Sequence, residues 1–146
     1  MAGRSSASRS LERWALRYAR LALGAAFLSG IASRFGLWGP GRGYGTFANF
    51  VTYTAQVNSF MPARTIPFLA WAATAAEFTL GVALLLPLRG RAARLAALGS
   101  AGLLAVFGLA MAVSFGPKEP LDYSVFSASA AALLVALHPP SETEVP

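Results

Sequence analysis

The chain has 146 residues, of which 55% are hydrophobic and 12% charged, with a net charge of +6, one histidine and no cysteine. A soluble domain carries about a quarter charged residues to wet its surface, so this composition argues against that class and points to lipid as the solvent. Without cysteine the chain forms no disulfide and offers no thiolate to a metal. The excess of cations flanks apolar runs and has no aromatic-and-basic stripe beside it, so it reads as topological signalling and not as a nucleic-acid surface.

Residues 1–13 are rich in Ser, Ala and Arg with no apolar period, and read as a disordered basic tail. The first span is expected over residues 14–38, with Trp14 and Trp38 about 36 Å apart on a helix, as befits anchors in two headgroup layers. Arg20 and Arg34 bound its uncharged core, and both are expected to extend along their own stems toward water. A cleaved signal peptide is the competing reading, with the arginines as its basic region and Gly30-Ile31-Ala32 as its small-residue site.

Gly39-Pro40-Gly41-Arg42-Gly43 is a breaker cluster and predicts a loop. From Thr46 to Met61 the sequence is uncharged yet too polar to span. Phe47, Phe50, Val51, Thr54, Val57 and Met61 recur at helical spacing, which predicts an interfacial amphipathic helix on the outer leaflet, with an ordered loop as the alternative.

The second span is expected over 65–88, with Pro67 in its first turn and Glu77 as its only charge. A basic turn of Arg89, Arg91 and Arg94 leads to a third, charge-free span over 95–115. Pro117 to Asp122 make the next turn, and a fourth span over 121–138 is stopped by Pro139-Pro140, leaving a short acidic tail over 139–146. His138, alone at the end of that span, reads as an interfacial residue and not as a metal or haem ligand.

Counting cations orients the chain. Arg4, Arg9, Arg13, Arg17, Arg20, Arg89, Arg91 and Arg94 fall on one side, against Arg34, Arg42, Arg64 and Lys118 on the other, which places both termini in the cytoplasm. The expected fold is an all-α, integral membrane four-helix bundle. Lipid gives helices no hydrophobic reason to associate, so small-residue stripes should make the contacts: Ala22, Ala26 and Gly30 in the first span, Ala73 and Gly81 beside Glu77 in the second, and Ser124, Ala128, Ala132 and Ala136 in the fourth.

Glu77 demands the most explanation, because a carboxyl at the bilayer midplane costs a few kcal/mol and is usually turned inward, paired or functional. Arg20 is its expected partner, lying roughly 9 Å from the middle of the first span before its stem extends. The bland alternative is that the two residues only fix the register of two helices.

The segment from Arg20 to Gly36 resembles the opening motif of the DoxX-like membrane proteins: an arginine, then Leu23-Gly24, Phe27-Leu28, Gly30 and a basic residue, here Arg34 in place of the usual lysine. Glu77, Gly81 and Leu84 to Leu86 resemble that family's second block, followed by Arg91-Ala92-Ala93; Pro87 stands where glycine is common. The resemblance covers roughly residues 14–138. It implies a small four-helix protein of the bacterial inner membrane, in a family partly associated with quinone-linked oxidation and thiol or oxidative stress. It also implies that Glu77, Arg20 and Arg34 line an internal site.

On that basis the expected function is an accessory or quinone-associated subunit of a membrane redox system. Glu77 would accept a proton or bond a quinone, in a slot walled by Phe27, Phe78, Trp71 and Tyr18. No covalently bound cofactor is expected, and electron carriers would be a diffusible quinone or redox partner proteins. A non-catalytic scaffold or small-molecule binder is the alternative, and a transporter ranks last because no broken mid-membrane helices are evident.

Overall fold

The computed structural model describes residues 6–140, and within them every regular element is helical. Helix α1 spans Ser6–Arg34, α2 Phe47–Val57, α3 Ile66–Leu85, α4 Gly90–Phe115, α5 Lys118–Asp122 and α6 Val125–Leu137, with a single 3-10 turn at Ala63–Thr65 ahead of α3. The expected basic tail is therefore shorter than its composition suggests, because residues 6–13 continue α1. Ala, Leu, Arg and Glu are strong helix formers, and lengthening an existing helix needs no new nucleus. Residues 1–5 and 141–146, the remaining parts of the two expected tails, lie outside the described residues.

Helix α1 stops at a left-handed glycine. Gly36 has φ +70°, the Leu37 amide donates to Ala32 O at 2.9 Å and the Gly36 amide donates to Ser33 O at 3.4 Å. These are the two bonds of a Schellman cap, which satisfy carbonyls the helix would leave open. The glycine-rich loop then folds back on the helix end, where Ser33 Oγ accepts from the Tyr44 amide at 2.9 Å and Ser33 O accepts from the Gly45 amide at 3.0 Å.

Helix α2 begins where the sequence places it, with the Thr46 hydroxyl accepting from the Asn49 amide at 3.2 Å as an N-cap. Its inner face is narrower than expected: Phe50, Thr54 and Val57 are buried against α3 and α4, while Met61 is exposed beyond the helix end. The Ser114 hydroxyl, near the end of α4, donates to Val57 O at 2.6 Å and ties the two helix ends together.

Pro67 occupies the first turn of α3, where its missing amide proton is not needed. Leu86 turns extended ahead of Pro87, which disfavours helical geometry in the residue before it, and α3 ends three residues earlier than expected for the second span. Helix α4 starts five residues earlier than expected and stops at Gly116, whose φ is +89°. The fourth expected span is broken: α5 and α6 are separate helices, and Ser124 between them adopts a left-handed conformation at φ 56°.

Helices α1 and α3 run antiparallel, α4 pairs most extensively with α6, and contacts of α3 with α4 and of α1 with α6 close the ring. Leu23, Phe27, Leu84, Ala97, Ala101 and Ala132 lie in its core. The α1–α3 crossing is made by glycines: a Cβ on Gly24 would lie 3.0 Å from Gly81 O, and one on Gly81 would lie 3.1 Å from Phe27 Cβ. Small residues do make this contact, but the stripe in α1 is phased differently from the expected one. Leu23, Gly24 and Phe27 are buried, whereas Ala22 and Ala26 stay exposed.

Large apolar side chains also cover the outside. Phe68 is 74% exposed and Val113 70%, and Trp71, Phe78, Val106 and Leu109 are more than half exposed. Among the described residues, α3 with its leading turn and α4 are the helices long and apolar enough to cross a membrane; α6 is apolar but shorter.

Candidate functional site

Glu77 is 4% exposed and Arg34 is also 4% exposed, and they meet across the α1–α3 interface. Arg34 Nη2 donates to both carboxylate oxygens of Glu77, at 2.6 and 2.7 Å, and Nη1 donates to Thr74 Oγ1 at 2.8 Å. The Thr74 hydroxyl in turn donates to Ala70 O at 2.8 Å, so its oxygen is held toward the guanidinium. Phe50 of α2 caps the assembly, with Arg34 Cζ 3.7 Å from the centre of its ring, a close cation–π contact. Arg34 Nε is buried without an acceptor.

This pairing corrects two expectations. Arg20 is not the partner of Glu77; its Nη2 donates to Leu86 O at 2.9 Å and its Nη1 to Leu88 O at 3.4 Å, beyond the end of α3. Nor does Arg34 extend toward water. The reason is the lean of helical side chains toward their own N-terminus. From Arg34 that lean runs back along α1 toward the level of Glu77, and the antiparallel α3 makes Glu77 lean up to meet it. From Arg20 the same lean runs away from Glu77.

Gly30 makes room for the carboxylate, since a Cβ there would sit 3.4 Å from Glu77 Oε2. Away from Arg34, Glu77 forms part of the lining of a cavity of about 190 Å³, whose other walls are Leu23, Ala26 and Phe27 of α1, Leu104 and Phe107 of α4, and Ala128 of α6. Four helices thus converge on a small apolar space that one acidic group borders. Of the four aromatic walls expected, only Phe27 is in place; Tyr18, Trp71 and Phe78 point outward, at 74%, 56% and 56% exposure.

An aromatic layer surrounds the guanidinium on its other side. The Tyr44 ring meets Phe50 edge-on at 5.1 Å and Tyr53 at 5.3 Å, and Phe47 bridges Phe50 at 5.9 Å to Trp71 at 4.3 Å. Burial, reinforced by nearby Tyr53, pushes the Tyr44 phenol up to about 12, while Arg34 pulls the other way. Burial also raises the Tyr53 phenol.

Three members of the site escaped sequence reasoning. Thr74 lies one turn before Glu77 on the same face and was readable from that spacing. Phe50 and Phe107 carry no such signal, because nothing local says that α2 folds over Arg34 or that α4 turns Phe107 inward. No group of three or more His, Cys, Asp or Glu residues is placed to hold a metal among the described residues. No protein-family model, no curated protein and no solved structure matches the chain.

Proposed function

We propose that the chain is a four-span protein of the bacterial inner membrane that binds the ring of a diffusible quinol beside Glu77, as an accessory subunit of a membrane redox system. The observation that carries this reading is the double role of Glu77, held on one side by Arg34 and bordering an apolar cavity on the other. The recess of about 190 Å³, partly open to the surface, has room for one substituted six-membered ring. The Glu77 carboxyl, holding Arg34 on one side, can accept a hydrogen bond from a hydroxyl on the other. The hydroxyl-bearing, reduced ring therefore suits it better than the quinone, whose carbonyls also need a donor.

The membrane part of the reading is supported by the distribution of exposure. In the most apolar stretches of the two long helices only 28% and 33% of residues are buried, whereas the core helix of a soluble protein is mostly buried. Helix α6 has 13 residues and reaches about 20 Å, short of a ~30 Å core. Crossing at this point requires α5 and α6 together, bent at Ser124. Both termini then lie on the cytoplasmic side, and α2 lies at the opposite interface.

The reading also draws on the resemblance to DoxX-like proteins. Its two motifs face each other along one helix pair, Gly24 against Gly81, Gly30 against Glu77 and Arg34 paired to Glu77.

A non-catalytic scaffold is the second reading, favoured by the completeness with which the ion pair fastens α1 to α3. Purification in mild detergent followed by solvent extraction separates the two. Recovery of a quinone from the wild type, lost in a folded Glu77→Gln variant, is the expected result. Protein that is empty, and does not take up added quinol, contradicts the proposal and leaves the scaffold.

A further inference from the structure

We infer that the basic groove at the end of the molecule opposite Arg34 is a site for one anionic phospholipid, its headgroup among the arginines and an acyl chain along the leucines. The groove, partly open to the surface, has a volume of about 810 Å³ between the first half of α1, the turn joining α3 to α4, and the chain after α6. Arg13, Arg17, Arg20 and Arg89 line it. Arg20 is oriented by the carbonyls of Leu86 and Leu88, which engage one nitrogen each and leave further N–H donors of the guanidinium for a phosphate. Leu16 and Leu21 on one wall, and Leu85 and Pro87 on the other, supply an apolar surface beside the cations. Cations interleaved with apolar side chains match a phospholipid headgroup and the start of its acyl chain, and basic pockets between helices on the cytoplasmic side bind such headgroups.

At the rim, Glu12 lies 3.7 Å from His138 Nε2. Beyond Pro140 the sequence carries Glu142 and Glu144, and that segment is the other claimant. Being short and polar, it offers little to the leucine wall, so the lipid is the occupant we assign.

The site rests on the membrane reading, and one reconstitution separates the two ideas. The full chain is incorporated into nanodiscs containing phosphatidylglycerol and phosphatidylcholine, and the lipid retained on extraction into detergent is counted by native mass spectrometry. Failure to incorporate would overturn the membrane reading itself. Incorporation with selective retention of phosphatidylglycerol is the expected result, and equal retention of both lipids overturns the site.

The Arg17→Gln/Arg89→Gln variant should lower that selectivity by about twenty-fivefold, about fivefold for each cation. The Arg91→Gln/Arg94→Gln variant removes the same charge outside the groove and should retain it. Equal loss in both variants would reduce the effect to general surface charge and contradict a built site. Displacement of the lipid by inorganic phosphate alone would show an anion site without an acyl component. A rise in retention when residues 141–146 are deleted would identify the tail as the native occupant. Either outcome overturns the inference as stated.

Discussion

Arg34 and Glu77 form one buried, hydrogen-bonded pair, and neither side chain is well accommodated there alone. Removing one partner of a buried pair costs about 3–5 kcal/mol, because the other is left uncompensated. Arg34→Leu and Glu77→Leu should each destabilise the protein by that amount in detergent unfolding. The double variant should recover part of the loss, since two apolar groups leave no orphaned charge. Additive losses would show that the two do not act as a unit.

Tyr44 supplies a second test at this scale. Its phenol is raised from 10.0 to about 12 in the folded protein, so the fold favours the neutral form. The stabilisation is complete below about pH 10 and is lost as pH rises from about 10 toward 12. Tyr44→Phe should flatten the pH dependence of unfolding in that window; an unchanged profile would place the sensitivity elsewhere. Glu77 stands out in the sequence because it is the only charge in a long apolar run. Distance along the helix points to Arg20 as its partner, whereas the direction in which helical side chains lean brings Arg34 to it.

At the scale of elements, the glycines at the α1–α3 crossing set how closely the site can be assembled. A Cβ on Gly24 would meet Leu85 Cγ at 2.7 Å and Gly81 O at 3.0 Å. Gly24→Val should force the helices apart at a cost of about 1–3 kcal/mol, and should loosen the Arg34–Glu77 pair above the crossing. Gly102 has no atom within 4 Å of an added Cβ. Gly102→Ala should be neutral or stabilising by up to about 1 kcal/mol, since alanine is the better helix former. Thermal unfolding of the two variants side by side checks both expectations; equal effects would remove the crossing from the account.

Local signals made several helix boundaries readable: Thr46 as an N-cap, Pro67 in a first turn and Pro87 after a last one. The division between α5 and α6 was not readable. Ser124 adopts a left-handed conformation that no side-chain preference announces, and it is set by how the two pieces pack.

For the molecule as a whole, apolar residues face both inward and outward, and among the described residues two helices are long and apolar enough to cross a membrane. The pattern of apolar runs and basic turns was legible from composition. The ring in which α1, α3, α4 and α6 pack was not, because stripes of alanine occur on several faces of an Ala-rich helix and only the glycines choose among them.

Because the chain has no cysteine, single substitutions report the side of the membrane on which each position lies. Ser10→Cys and Arg91→Cys should react with an impermeant maleimide only after cells are opened, whereas Arg42→Cys and Lys118→Cys should react in intact cells. Labelling of all four positions in intact cells or of none, or release of the polypeptide from membranes by alkaline carbonate, would contradict the reading of four crossings around a buried Arg34–Glu77 pair.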